Sequence, residues 1–368
     1  MSPVARWTSL SRTPNLARSS HCLSVAPTGR AILFGGELQP RTPVDVDPSA
    51  RGSVHTVHLS HAAGHVSTPS GLNWVSTSAS PTSSAIPEPR VGAASVAVGD
   101  YFYLWGGRGG AEMSPLPNDQ AGIWRCSLRS IETSAPLWER VIATEEEKAP
   151  RSRSYHTMTS YENTIYVHAG CLEKGRISDL HAFDLTTRSW SVLASAPEPG
   201  RGGTALVPVN LNGRPVLLRF DGFAGEELDT FDIYDIRADA WRHTVPAPDP
   251  QHGSPGARSV HGFVPFVSPR YPRTLALVYH GERGPSSLGH AGAGEFWDDV
   301  WLIEAGAEGE SELAWKYVQV PRDRPAPVAR GWFHSASWKD GEETKVALYG
   351  GLLSSNARAD DLWLLEID

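Results

Sequence analysis

The chain has 368 residues, 40% of them hydrophobic, with 35 glycines, 29 prolines and a formal net charge of −8. That charge argues against a partner bound through nucleic-acid phosphates, no apolar stretch approaches the roughly 18 residues of a membrane helix, and the glycines and prolines show no collagen-like or low-complexity period. Three scattered cysteines, Cys22, Cys126 and Cys171, and a start (MSPVARWTSL) without a long apolar run are expected of a soluble cytoplasmic protein with reduced thiols.

In chain order, RWTSL (Arg6–Leu10) comes first and is followed by six copies of one pattern. Each copy starts at an arginine: Arg18, Arg90, Arg153, Arg201, Arg258 and Arg330. Each then rises into an apolar run that closes on a Gly-Gly-like pair, in turn AILFGG, YFYLWGG, TIYVHAG, VLLRFDG, LALVYHG and VALYGG, ending at Gly36, Gly107, Gly170, Gly222, Gly281 and Gly351. A segment such as DLHAFDL (Asp179–Leu185), TFDIYDI (Thr230–Ile236), DDVWLIE (Asp298–Glu304) or DDLWLLEI (Asp360–Ile367) follows, and a tryptophan closes the unit at Trp74, Trp138, Trp190, Trp241 or Trp315. The sixth tryptophan, Trp7, precedes the first arginine.

A period near 50 residues with four short strands per unit predicts an all-β fold, a six-bladed kelch-type β-propeller filling residues 1–368 as a single domain. Strand a begins after the arginine, as in ASVAV (Ala94–Val98). Strand b is the apolar run, hydrophobic throughout because both its faces are covered. Strand c is the Asp-led segment, and strand d is expected to end at the tryptophan. The last unit stops after strand c, so Arg6–Leu10 should supply its strand d, close the ring and remove the exposed sheet edges.

Up-and-down order puts the start of strand a and the end of strand b on one face. The six arginines, with Glu37, Arg108, Cys171, Phe223, Glu282 and Leu352 after the glycine pairs, should therefore surround one mouth of the channel. Three long b–c loops, Leu38–Val54, Gly109–Ala121 and Arg283–Gly294, emerge there, the usual place for a binding site on a rigid scaffold. The arginines have two readings: they bond loop carbonyls, or they hold an anionic ligand. Arg18, Arg153, Arg201, Arg258, Arg330 and Glu37 are the candidate substrate-binding residues, with Trp332 as an aromatic wall. Arg108, which opens a long loop, is a candidate catalytic residue. His21 and His156 recur three residues after the arginine, which favours a structural role.

Several stretches carry a closer likeness: RSSH (Arg18–His21), FGGEL (Phe34–Leu38), VAVGD with WGGR to Arg108, YHTM (Tyr155–Met158), the glycine-rich loop Gly281–Gly294, RGW (Arg330–Trp332) and NARADDLW (Asn356–Trp363). In this order, over nearly the whole chain, they resemble the epithiospecifier, nitrile-specifier and thiocyanate-forming proteins. The resemblance implies a six-bladed propeller acting with ferrous iron on unstable aglucones released by a glucosinolate hydrolase. The family's iron motif, Glu-x3-Asp-x3-His, corresponds here to Glu282, Ser286 and His290, so a neutral hydroxyl, a poor Fe(II) ligand, replaces the middle carboxylate.

Glu282 is thus a candidate metal ligand, general base or partner of an arginine. His290 is a candidate ligand, acid/base residue or loop-ordering donor. The expected function is a lyase- or isomerase-like conversion (rearrangement, cyclisation or elimination) of a small natural product with an anionic group. Glu282, His290 and Arg108 would be catalytic, with Fe(II) or without a cofactor. The alternative is a non-enzymatic module that binds a peptide of a protein partner at the same face. No nucleic-acid or membrane partner is expected.

Overall fold

The computed structural model describes residues 2–59, 72–133, 135–306 and 312–368. Six four-stranded antiparallel sheets form the blades. Blade 1 is built from Cys22–Val25, Arg30–Phe34, Val54–His58 and Val75–Thr77, and blade 2 from Ala94–Val98, Tyr101–Trp105, Trp124–Ser127 and Trp138–Arg140. Blade 3 uses Thr157–Tyr161, Thr164–His168, Leu180–Asp184 and Ser189–Leu193, and blade 4 uses Ala205–Leu211, Arg214–Phe220, Phe231–Asp235 and Ala240–Thr244. Blade 5 consists of Gly262–Pro265, Thr274–Tyr279, Val300–Ala305 and Leu313–Val318. Blade 6 consists of His334–Asp340, Glu343–Tyr349 and Asp361–Ile367, completed by Ala5–Arg12 as the outermost strand. The inner strands touch in cyclic order, blade 6 against blade 1, so the ring is closed.

The closure strand is longer than Arg6–Leu10. It pairs from Ala5 opposite Ile367 to Arg12 opposite Asp361, with a bulge at Leu10. The tryptophans open strand d and do not end it: Trp138 is the first residue of its strand, Trp190 and Trp241 the second, and Trp315 and Trp7 the third. There each ring reaches a neighbouring blade. The Trp138 indole donates to the Gly52 carbonyl of blade 1 at 2.7 Å, and Trp315 packs on Phe220 of blade 4 at 5.1 Å between ring centroids. The cores therefore lie in the seams, as in the cluster of Phe220, Phe231, Phe263 and Trp315 between blades 4 and 5.

Two rings of backbone hydrogen bonds bind the seams at the a/b end. The second glycine of each pair donates to the arginine carbonyl of the next blade, from Gly36 to Arg90 around to Gly351 to Arg18, at 2.8–3.0 Å. At Gly351 the φ angle is +102°, and a Cβ would meet the Gly331 carbonyl oxygen at 2.8 Å. Only glycine permits that approach. Inside this ring, the residues two after each arginine form a collar: Ser20 donates to Trp332, Trp332 to Val260, Val260 to Gly203, Gly203 to Tyr155, Tyr155 to Gly92 and Gly92 to Ser20, at 2.7–3.1 Å. All six have positive φ, from +46° at Val260 to +63° at the glycines. For valine, tyrosine and tryptophan this conformation is strained, and closing the circle offsets the strain.

The six arginines are not around the mouth. They are 0–2% exposed and turn back into their own blades. In each, Nε donates to the carbonyl two residues earlier and Nη1 to the carbonyl before the second glycine, as in Arg258 to Gly256 at 3.0 Å and to His280 at 2.9 Å. Arg153, Arg258 and Arg330 also grip Asp179 and Asp299, each just ahead of strand c, and Asp361, the first residue of its strand c, through both carboxylate oxygens. Arg18 bonds Asp45 at 3.3 Å, Arg90 the Gln120 carbonyl at 2.9 Å and Arg201 the Thr230 hydroxyl at 2.5 Å. With their donors committed in this way, Arg18, Arg153, Arg201, Arg258 and Arg330 are corrected from ligand-binding to structural residues. A guanidinium satisfies several carbonyls and a carboxylate at once.

Burial alone would raise the pKa of Asp179, Asp299 and Asp361, but their cationic and hydrogen-bonding partners outweigh it and hold all three below the usual range. A depressed folded-state pKa stabilises the protein above the unfolded value of about 3.9, and that contribution disappears as pH falls further. Melting temperature should therefore drop steeply below pH about 4. Circular dichroism melts between neutral and acid pH check this. Asp299→Asn should weaken the dependence while lowering stability at neutral pH.

Candidate functional site

On the face where the b–c loops emerge, a cavity of about 190 Å³ opens above the collar. Its floor is Tyr155, Gly203, Val260 and Trp332, and the same four residues bound the strand-a channel of about 340 Å³ on the other side. Each blade presents here the residue after its glycine pair, held by a short bridge to the residue after its arginine. Glu37, Cys171, Phe223, Glu282 and Leu352 line the cavity. Arg108 stands beside it, half-buried, donating to the Ser154 hydroxyl at 2.7 Å and lying over the Tyr155 ring at 5.6 Å.

Trp332 and Tyr155 meet edge to face, 5.2 Å between centroids, and give the floor an apolar surface. The Trp332 indole donates to Glu282 Oε2 at 3.0 Å. Burial, reinforced by the nearby Glu227 carboxyl, pushes the Glu282 pKa up to about 7 against the opposing Trp332 and Gly294 hydrogen bonds. Glu227 accepts from Ser259 Oγ at 3.4 Å, and burial raises its pKa as well.

Glu37 is a brace. Its carboxylate accepts from the Arg41 amide at 2.7 Å and from Arg358 at 3.4 Å, and both side chains are nearly enclosed. Arg41 and Arg176 line the cavity as exposed cations with no carboxylate within 4 Å among the described residues, and Arg176 covers Phe223 at 4.7 Å. Burial raises the Cys171 thiol pKa against the pull of Arg176 and Arg108, so it is no ready thiolate. His21, His156 and His261 are buried in the seams, where burial drives their pKa values down and keeps them neutral.

Of the three side chains that the likeness implies for iron, the two described ones are engaged with other partners. Ser286 Oγ accepts from the Leu288 amide at 3.1 Å, and Glu282 is tied to the Trp332 indole at 3.0 Å. Among the described residues no three His, Cys, Asp or Glu side chains converge. His290 lies in the turn Gly289–Ala291, and its side chain is outside the described residues.

Position could have revealed what sequence reasoning passed over. Tyr155 follows Arg153 by two residues, as Trp332 follows Arg330. Arg176 falls in the short loop after Cys171, and Arg358 lies in the quoted NARADDLW stretch.

The blades, the collar and the cavity between the b–c loops define a kelch-type β-propeller with a ligand-sized pocket on one face. Its relatives bear out the kelch-type fold. A family model described as the KLHDC2/KLHL20/DRC7 Kelch-repeats domain matches residues 21–270, and the chain belongs to that family. It is 23% identical over 376 aligned residues to the N-(sulfonatooxy)prop-2-enimidothioate sulfolyase of Thlaspi arvense, covering 95% of this chain and 93% of that protein. It is also 26% identical over 239 residues to host cell factor 1 of Homo sapiens, but spans only 11% of that protein's length. A solved structure titled "Structure of YjhT" shares the fold, with a TM-score of 0.64 at 15% identity over 98% of this chain and 99% of that one.

Proposed function

We propose that the protein is a lyase that eliminates an anionic leaving group from a small molecule held in the b–c pocket. One observation carries this reading: Glu282, with a pKa of about 7, shares an apolar-floored cavity with the exposed guanidiniums of Arg41 and Arg176. A carboxyl poised near neutrality is suited to moving a proton. The similarity to a sulfolyase along 95% of the chain supports the reaction class.

In the elimination, the Glu282 carboxylate takes a proton from the substrate. The electron pair of the broken bond to hydrogen becomes the new π bond, and the leaving group departs with its own bonding pair as an anion. Arg41 and Arg176 stabilise the charge that develops on it, while Trp332 and Tyr155 carry the apolar body. A cavity of about 190 Å³ suits a small metabolite.

Glu282→Gln should lower kcat by about a hundred- to ten-thousandfold and leave the circular dichroism spectrum unchanged. Because the base form is the ionised one, wild-type activity should rise with pH through about 7, and the variant should lose that limb. Sulfate release from small sulfate esters that carry an acidic C–H on the carbon beside the one bearing the sulfate, followed by ion chromatography, is the assay. Release no faster than in buffer, or equal rates for both proteins, would sink the proposal.

A second reading has its own support. Host cell factor 1 is similar over 63% of the chain, and the b–c loops expose Leu38, Val46 and Leu288 by 53%, 61% and 72%. An apolar rim suits a peptide partner. In that case Leu288→Asp would abolish binding, and Glu282→Gln would have little effect.

A further inference from the structure

The charges around the pocket are segregated by blade. Blades 1 and 3 contribute the exposed cations Arg41 and Arg176, and blade 2 adds Arg108 at the margin. Blades 4 and 5 contribute the acids: Glu282 in the cavity wall and Glu227, paired in its turn to Phe223 and bonded to the hydroxyl of the wall residue Ser259. The remaining charged pair, Glu37 with Arg358, cancels itself at 3.4 Å. The pocket therefore has a positive arc and an acidic arc, with the aromatic pair Tyr155 and Trp332 in its floor.

Two acids from neighbouring blades flank Ser259, whose hydroxyl donates to Glu227 at 3.4 Å and whose backbone pairs with Glu282, and a ligand that was only anionic would meet repulsion there. Glu282 receives the Trp332 indole and Glu227 the Ser259 hydroxyl, both neutral donors. Within the Glu282 loop, Arg283 pairs outward with Glu295 at 3.1 Å and lies over Trp297, leaving the two acids without a cationic partner among the described residues. The Glu227 charge opposes ionisation of Glu282, and a cation arriving beside both would relieve that opposition.

We infer that the pocket takes an ambipolar ligand, with an acidic group on Arg41 and Arg176, a protonated nitrogen on Glu282 and Glu227, and a short apolar body over Tyr155 and Trp332. This rests on the proposed lyase reading for the choice of pocket, and it adds the end of the substrate that faces the base. A cationic nitrogen stabilises the ionised form of Glu282, whose proton then leaves, so binding is coupled to proton release. A ligand lacking the nitrogen leaves that proton in place and forgoes the attraction.

The test is calorimetry at neutral pH with three probes, aminopropanesulfonate, propanesulfonate and propylamine, in Bis-Tris and in imidazole, whose ionisation enthalpies differ. Aminopropanesulfonate should bind at least about tenfold more tightly than either monopole, a gap of about 1.4 kcal/mol, and its apparent enthalpy should shift between buffers as a proton is released. Glu282→Gln should erase the preference and the proton release while propanesulfonate affinity is kept or improved. Glu227→Gln should weaken both, and the wild-type series stands alone should either variant misfold. Equal binding of propanesulfonate and aminopropanesulfonate would overturn the ambipolar ligand and leave the anion-holding lyase pocket standing. Failure of all three probes to bind would overturn both.

Discussion

Deletion of residues 2–12 should destroy the folded ring. Ala5–Arg12 is one strand of one blade, yet it serves two seams. Trp7 packs at 5.8 Å from Tyr279 in the cluster between blades 5 and 6, whereas Leu10 belongs to the cluster between blades 6 and 1. Losing a buried tryptophan costs about 3–5 kcal/mol and a buried leucine about 2–5. Their sum, about 5–10 kcal/mol, is comparable with the whole stability of an ordinary domain, about 5–15. The deletion also bares the edge of Asp361–Ile367, a strand of mostly apolar residues and a template for aggregation. The truncated chain should be insoluble or lack a cooperative melt by circular dichroism, and a synthetic peptide of residues 2–12 should restore one. A soluble truncated protein melting within a few degrees of the full chain would contradict the closure argument.

How much was legible follows from what each residue's neighbours had to be. The strand-b runs read plainly because a strand covered on both faces must be apolar throughout. The pocket wall followed from topology, since up-and-down order fixes which strand ends share a face, and Glu37, Cys171, Phe223, Glu282 and Leu352 do line one cavity. The arginines misled because guanidinium suits a bound anion and a set of carbonyls equally well. What decides between them is an aspartate at the start of strand c, and loops of different length set that partner 26, 41 and 31 residues away from Arg153, Arg258 and Arg330. A fixed spacing would have shown the pairs; a varying one hides them. The collar was hidden for another reason. Tyr155, Val260 and Trp332 adopt positive φ, which their residue types do not announce. Closing the ring imposes it, and no local sequence carries it.

Arg258→Ala should be among the most damaging single substitutions. The guanidinium is fully buried and serves the Gly256 and His280 carbonyls and both oxygens of Asp299, at 2.8–3.0 Å. Removing it strands a largely enclosed carboxylate, a loss of about 3–5 kcal/mol for a broken buried pair. Arg258→Lys should recover little, because a single ammonium cannot span two carbonyls and a bidentate carboxylate. The double variant Arg258→Ala with Asp299→Ala should cost clearly less than the sum of the two singles, since the stranded charge leaves with its partner. Equilibrium urea unfolding of the four proteins measures this cycle, and strict additivity would count against the pair as the source of the effect. The damage should also reach the pocket. Arg258 holds the His280 carbonyl two residues before Glu282, and its own carbonyl accepts from Gly222 across the seam to blade 4 at 3.0 Å. Once that anchor loosens, water reaches Glu282 and its pKa should fall from about 7 toward the ordinary carboxylate value. The rising limb of the activity profile would then move to lower pH in whatever fraction of Arg258→Ala still folds.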